Sequence, residues 1–281
     1  MNATLLRALR IVCAAYLLTL AAAGFLAPFA APFRYETQFR DAIDAPASPR
    51  HPLGTDSLGR DRFSRLLYAT RTSLLLAPAA AFLSVLLAAS LGSLAGWAGG
   101  WLERLLLASA DLAVSVPWLF LLITLRAALP LDVSPLVSLL FTFALLGLLG
   151  WAGPARVVHS SVRQILASGY IRAAQARGVP PFRLLFRHTF PNLTPVLTAQ
   201  FWTTVPAYLL AEANLGMLGL GVTEPLPSWG SLLRELQGQA FSLAHLTTHL
   251  WLLAPLFVVI SVILSCRFVW AARIDPTKVS S

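Results

Sequence analysis

Six stretches of this chain run for about twenty residues or more with almost no charge, and they leave very few folds open. They span 11–33, 72–101, 105–125, 133–155, 189–221 and 236–266. Crossing about 30 Å of hydrocarbon takes about 20 apolar helical residues. Lipid offers no hydrogen-bond partners, so each stretch must bond its own backbone as a helix. The expected fold is all-α: a polytopic membrane protein with six transmembrane helices. The first stretch exceeds the roughly 7–15 apolar residues of a secretory signal, which points to an uncleaved span. Asp111 interrupts the third stretch and Glu212 the fifth. Carboxylates at such positions are costly against lipid. Each is expected either to pair inside the bundle or to take part in the pathway or its gating.

Composition narrows the function. Of the 281 residues, 57% are hydrophobic and 12% charged, against about 25% charged in soluble domains. That excludes an ordinary soluble enzyme and a disordered chain. The net charge of +9 rests on 21 basic residues, all arginine except Lys278. In so apolar a chain it reads as loops facing an anionic leaflet of membrane lipids, not as nucleic-acid binding. Cys13 and Cys266 lie in apolar runs at opposite ends and suggest buried thiols, neither a disulfide nor a metal site. His245 and His249 have a helical metal spacing but no third ligand nearby, so no metal is expected. There is no phosphate-binding G-x-x-x-x-G-K-[ST], no G-x-S-x-G and no H-E-x-x-H. No catalytic residues, enzyme activity or bound cofactor are expected.

Arginine bias sets the expected orientation. Residues 154–192 carry Arg156, Arg163, Arg172, Arg177, Arg183 and Arg187 with no acid, which places this loop in the cytoplasm. Parity then puts both termini inside, in agreement with Arg7, Arg10, Arg267 and Arg273. Residues 34–71 conflict with this scheme. They hold seven arginines against five acids, on what would be the outer side. An amphipathic helix over 60–72, with Arg62 and Arg65 opposite Phe63, Leu66, Leu67 and Tyr68, is expected to lie at the outer interface as a collar. Thr55 or Asp56 would cap it.

Residues 168–192 are the most informative. The spacing predicts a helix over 170–177, rich in alanine, then an αL turn at Gly178. Pro180 and Pro181 open a second helix over 182–189, and Pro191 and Asn192 end it. A small, cationic helix of this kind suits either docking into a soluble partner or resting on anionic headgroups.

This loop resembles the signature loop of bacterial ABC-importer permeases, at Ala173, Ala174 and Gly178. Its ending, at His188, Pro191 and Asn192, is similar to the peptide/nickel branch. Arg172 stands where the signature has Glu. HPLGTDSLGRDRFSRLLYATRTSL (51–74), DLAVSVP (111–117, with Asp111 and Pro117) and AEANLGMLGLGVTEPLPSWGSLL (211–233) resemble further marks of that family, in order. In the last of these, Gly216, Gly219 and Gly221 suit a bend, and Trp229 an interfacial aromatic in an external loop. The tail keeps only Asp275 and Pro276.

The resemblance implies the type I importer fold. It divides the chain into an N-terminal span and external segment (1–71), the transmembrane domain (72–272) with its coupling loop (154–192), and a tail (273–281). Tyr170, Arg172, Ala173, Ala174, Arg177, Gly178, His188, Pro191 and Asn192 would form the loop that docks on an ATPase. The implied partners are a second homologous permease, two ATP-binding cassette subunits and an extracytoplasmic solute-binding protein, in a bacterial inner membrane. The implied cargo is a di- or oligopeptide, with nickel or another small solute as the alternative. A self-sufficient secondary transporter would instead show inverted repeats and paired intramembrane charges, and a membrane-embedded hydrolase would need a nucleophile and base at depth.

Overall fold

The computed structural model describes residues 3–128, 133–222, 224–239 and 253–271. His245, His249, Arg273, Asp275, Pro276 and Lys278 lie outside them. The described residues form helices joined by turns: α1 (Ala3–Phe25), α2 (Ala27–Ala30), α3 (Arg62–Ala98), α4 (Gly100–Ser115), α5 (Trp118–Ala127), α6 (Pro135–Leu149), α7 (Ala152–Leu166), α8 (Gly169–Ala176) and α9 (Pro181–Leu184). A π-helical turn, Leu185–Thr189, leads into α10 (Phe190–Met217), followed by α11 (Trp229–Gln239) and α12 (Ala254–Ala271).

Three described helical runs are long and apolar enough to cross a membrane: Arg7–Phe25, Arg62–Ala98 and Pro135–Leu166. A fourth is Gly100–Ser115 with Phe120–Ala127, bent by 80°, if that pair counts as one span. This is fewer than the six expected. α10 has the length, 28 residues, but its run of Thr, Gln and Asn side chains lowers its hydropathy. The sixth stretch is only partly described, through α12.

Other expectations need correction. No separate interfacial helix precedes the second span, because α3 begins at Arg62 and continues without a break through residue 72 to Ala98. Neither Thr55 nor Asp56 caps it. Asp61 does, accepting the Ser64 N–H at 2.7 Å in the N-cap geometry. Asp56 instead closes the preceding turn, accepting the N–H groups of Leu58 (2.9 Å) and Arg60 (2.8 Å). Pro191 does not end the loop's second helix. Proline removes one backbone donor, and the wider π turn just before it absorbs the mismatch. Thr189 Oγ1 reaches back to the Leu184 carbonyl at 3.3 Å, and the chain runs straight on as α10. Trp229 is no loop aromatic. It is buried at the start of α11, donating its indole N–H to Thr70 Oγ1 at 3.2 Å.

The chain divides into two compact units. The first comprises residues 1–77, 123–143 and 205–281. In it α1 packs along α12, with a hydrogen bond of 2.5 Å between the Tyr16 and Ser261 hydroxyls. Cys13 and Cys266 are buried and free. Residues 31–61 have no regular structure and are tied down by polar side chains. The buried His51 pairs with Asp61 at 2.9 Å and packs against the rings of Phe33 and Phe39, which also meet edge to face.

The second unit comprises residues 78–122 and 144–204, with α7 at its centre. On one side Gly92 and Gly96 of α3 let α7 approach to backbone contact. A Cβ at Gly92 would lie 2.5 Å from the Ala155 carbonyl, and one at Gly96 would lie 2.8 Å from the Val162 side chain. Small residues four apart permit this closeness in lipid, where no hydrophobic force drives helices together. The end of α7 then supports two clusters. One joins Val158 and Val162 to Leu193; the other joins Ile165 and Leu166 to Ile171, Ala174 and Leu184, with Trp97 and Val179 alongside.

Replacing Gly96 by Leu should separate α3 from α7 and cost about 1–3 kcal/mol. Thermal unfolding of the detergent-purified protein should show a lowered midpoint. An unchanged midpoint would mean that the close approach does not matter.

Candidate functional site

The loop over 168–192 is built on the end of α7. α8 is short, and its faces divide cleanly. Ile171 and Ala174 point inward into the cluster with Leu184, while Arg172, Ala173, Ala176 and Arg177 are exposed. The two alanines that look equivalent in the sequence therefore differ: Ala174 packs and Ala173 is free. Gly178 ends the helix at φ +77°, a conformation that L side chains adopt at a cost. The Gly178 N–H bonds the Gln175 carbonyl at 2.8 Å, and the Val179 N–H bonds that of Ala174 at 3.2 Å. Together they close the αL cap. Arg177 Nε donates to the Ala173 carbonyl at 3.2 Å.

The H-x-x-P-N ending works from within. Asn192 Nδ2 donates to the His188 carbonyl at 2.6 Å and to the Tyr170 hydroxyl at 3.0 Å, tying the loop's end to its beginning. Phe182 and Phe186 are exposed, their ring centroids 4.5 Å apart, and Phe190 stacks on Phe186 at 5.4 Å. Arg172 has no ion-pair partner among the described residues.

The two intramembrane carboxylates fare differently. Asp111 pairs with Arg156 at 3.2 Å, but on the surface of its unit: the two side chains are 55% and 52% exposed. Glu212 is fully buried. Its Oε2 accepts the Gly230 N–H at 3.3 Å, with the Ser73 and Ser228 hydroxyls alongside, and so holds the start of α11 to α10. His159 bonds Glu103 at 2.7 Å, and Arg163 lies 3.9 Å from the same carboxylate oxygen.

The residues that sequence reasoning missed carry charge. Arg65 is buried completely on α3, its Nη2 2.6 Å from Glu235 and 3.2 Å from Glu224, and its Nη1 3.3 Å from Asp56. Arg60 beside it bonds Asp56 (2.7 Å) and Glu224 (2.5 Å). Burial works against the Arg60 charge, but Glu224 and Asp56 outweigh it and raise its pKa. Burial likewise opposes ionisation of Glu224, yet Arg65 and Arg60 hold it below the usual carboxylate range. At Glu235 burial wins over Arg65, and the carboxyl is pushed up. The signal for this cluster was present in the sequence: an arginine excess in 34–71 faced by Glu224 and Glu235 in a segment with few other charges. Arg126 is a further buried cation, donating to the Ser138 hydroxyl and to the Gly221 carbonyl at 3.0 Å.

Arg65→Leu should leave Asp56 and Glu235 without their central cation and cost about 3–5 kcal/mol, read as lost thermal stability in detergent. Glu224 supplies a pH test. Its folded pKa is depressed, so its stabilisation is complete above about pH 4.3, the unfolded carboxylate value, and vanishes as pH falls through the lower folded value. Glu224→Gln should therefore destabilise at pH 7 and converge with the parent chain in acid. Equal losses at both pH values would refute the pairing.

Comparisons with known proteins fit this architecture. Residues 88–279 match the family described as the binding-protein-dependent transport system inner membrane component. The chain is 36% identical over 210 residues to the oligopeptide transport system permease protein OppC of Bacillus subtilis, covering 74% of this chain and 67% of that protein. It is 31% identical over 219 residues to the dipeptide transport system permease protein DppC of the same organism, covering 78% and 67%. The glutathione transport system permease protein GsiD of Pectobacterium atrosepticum is 29% identical over 231 residues, covering 82% and 75%. A match over most of the chain, on an all-helical polytopic fold, shows that this protein belongs to the inner-membrane permease family of binding-protein-dependent transport systems.

Proposed function

We propose that this chain is one permease subunit of an ATP-driven importer of di- or oligopeptides and that residues 168–192 are its ATPase-docking loop. The peptide cargo is supported by the names of the relatives, which are oligopeptide, dipeptide and glutathione permeases. The docking role is supported chiefly by one observation: α8 turns a small, cationic face outward (Arg172, Ala173, Ala176, Arg177) while Ile171 and Ala174 root it in the end of α7. An alanine-lined helix can enter a partner's groove closely, and its arginines suit an acidic rim.

In this reading the loop and both termini are cytoplasmic. A second, similar permease completes the pathway, two ATPase subunits bind the paired loops, and a solute-binding protein delivers the peptide outside. This chain itself holds no cofactor and does no hydrolysis. ATP binding draws the ATPases together, their motion displaces α8, and the bundle shifts between outward-open and inward-open states. Such a cycle needs two packings of similar energy, biased by the nucleotide.

The division of faces gives the test. Ala173→Trp should leave the protein folded and inserted but abolish co-purification of the ATPase and ATP-dependent peptide uptake. Ala174→Trp should instead unseat α8 and lower thermal stability as well. Gly178→Val should impair docking through strain at φ +77°. A chain in which Ala173→Trp transports normally has its ATPase contact elsewhere.

A further inference from the structure

α4 is held to its unit in an unusual way. Of the residues between Gly100 and Ser115 only Ala110 is fully buried, with Leu102, Leu106, Leu107 and Ala113 half-buried. Charge adds two fixed points along α7. Near its start Glu103 binds His159 at 2.7 Å and stands 3.9 Å from Arg163. Further along, Asp111 binds Arg156 at 3.2 Å. Ascending positions on α4 meet descending positions on α7, so the helices run antiparallel. The pins lie eight residues apart on α4, a separation of about 12 Å at the helical rise. Two pins at different heights oppose rotation and sliding more than one would.

α7 is in turn the helix to which residues 168–192 are fixed, through Val162, Ile165 and Leu166. Its contact with Gly92 and Gly96 of α3 is made by Val158, Val162 and the backbone carbonyls of Ala155 and His159. A push on α8 therefore reaches α4 through these carboxylates, beside the half-buried Leu106 and Leu107 of α4.

We infer that Glu103 and Asp111 are positioning residues for transport: two ionic pins that make α4 move with α7 and so carry the displacement of the docked loop into the membrane. This rests on the docking role of α8. The pins are not needed for docking itself, since none of their residues belongs to α8. Glu103 and Asp111 face the cations of α7 (Arg156, His159 and Arg163), and Arg104 is the neighbouring cation on α4 itself.

The test uses the complete importer, reconstituted in proteoliposomes with its ATPases, partner permease and binding protein, and radiolabelled dialanine and trialanine as probes. The double variant Glu103→Gln, Asp111→Asn should assemble fully and keep near-normal ATP hydrolysis stimulated by loaded binding protein. Peptide moved per ATP should fall about tenfold, the scale of an ordinary coupling energy. The exchange Asp111→Arg with Arg156→Asp should recover most of that ratio, which a purely steric role would not. An unchanged ratio, or uptake and hydrolysis falling together, overturns the pins. A parent complex that lacks an ATPase, or that moves neither peptide, contradicts the importer reading instead, and the two failures are distinguishable.

Discussion

A guanidinium in a low-dielectric interior is sustained only by counter-charge in contact with it. Removing a charge from water costs several kcal/mol, and pairing repays that cost only in good geometry. Arg65 meets this demand with three carboxylates at once: Asp56 from the irregular segment 31–61, Glu224 from the turn after α10, and Glu235 from α11. Those pieces have little else in common. Residues 31–61 contain no helix and only isolated bridges, at Gln38 with Arg60 and Thr55 with Asp61. Their placement against α3 follows from the charges. The same cluster accounts for the arginine excess that looks anomalous on an outer segment. Arg60 and Arg65 are consumed by Asp56, Glu224 and Glu235, so the free positive charge of 34–71 is smaller than its arginine count.

The second unit solves a related problem by different means. Apolar helices gain nothing by leaving lipid for each other, so specificity must come from close fit or from polar contacts. α7 uses both: Gly92 and Gly96 fit it to α3, and Arg156, His159 and Arg163 pin it to α4. Its far end, with Val162, Ile165 and Leu166, then serves as a base for α8 and the start of α10.

What the sequence reveals, and what it hides, follows from the range of the interactions. Apolar runs, the αL glycine at 178 and the short α8 depend on near neighbours, and they were legible residue by residue. The start of α3 was misread because a local pattern, arginines opposite Phe63 and Leu66, resembles an interfacial helix. Arg65 is instead satisfied by Glu224 and Glu235, more than 150 residues away, and Arg62 donates to the Thr55 carbonyl. The Pro191 stop failed for a similar reason. Proline argues for an end only if the helix cannot rearrange, and a π turn with Thr189 folded back on Leu184 supplies that rearrangement. At the loop, spacing identified the right residues but not their sides. The inward turn of Ala174 depends on Leu184 and Ile165, which lie outside the motif.

That separation of sides also bears on Arg172. Several positions of the loop are constrained by this chain: Ala174 by burial, Gly178 by φ, Asn192 by its bonds to His188 and Tyr170. Arg172 is exposed early in α8, where the helix dipole favours an acid over a base, and the chain gives it no carboxylate among the described residues. A glutamate there would be stabilised locally, and an arginine is not. The reversed charge therefore has no counter-ion among the described residues, and under the docking reading its compensation belongs to the surface that receives α8. On that reading the groove that receives α8 would present an acid to Arg172, and the partner's surface would differ there from one that meets a glutamate.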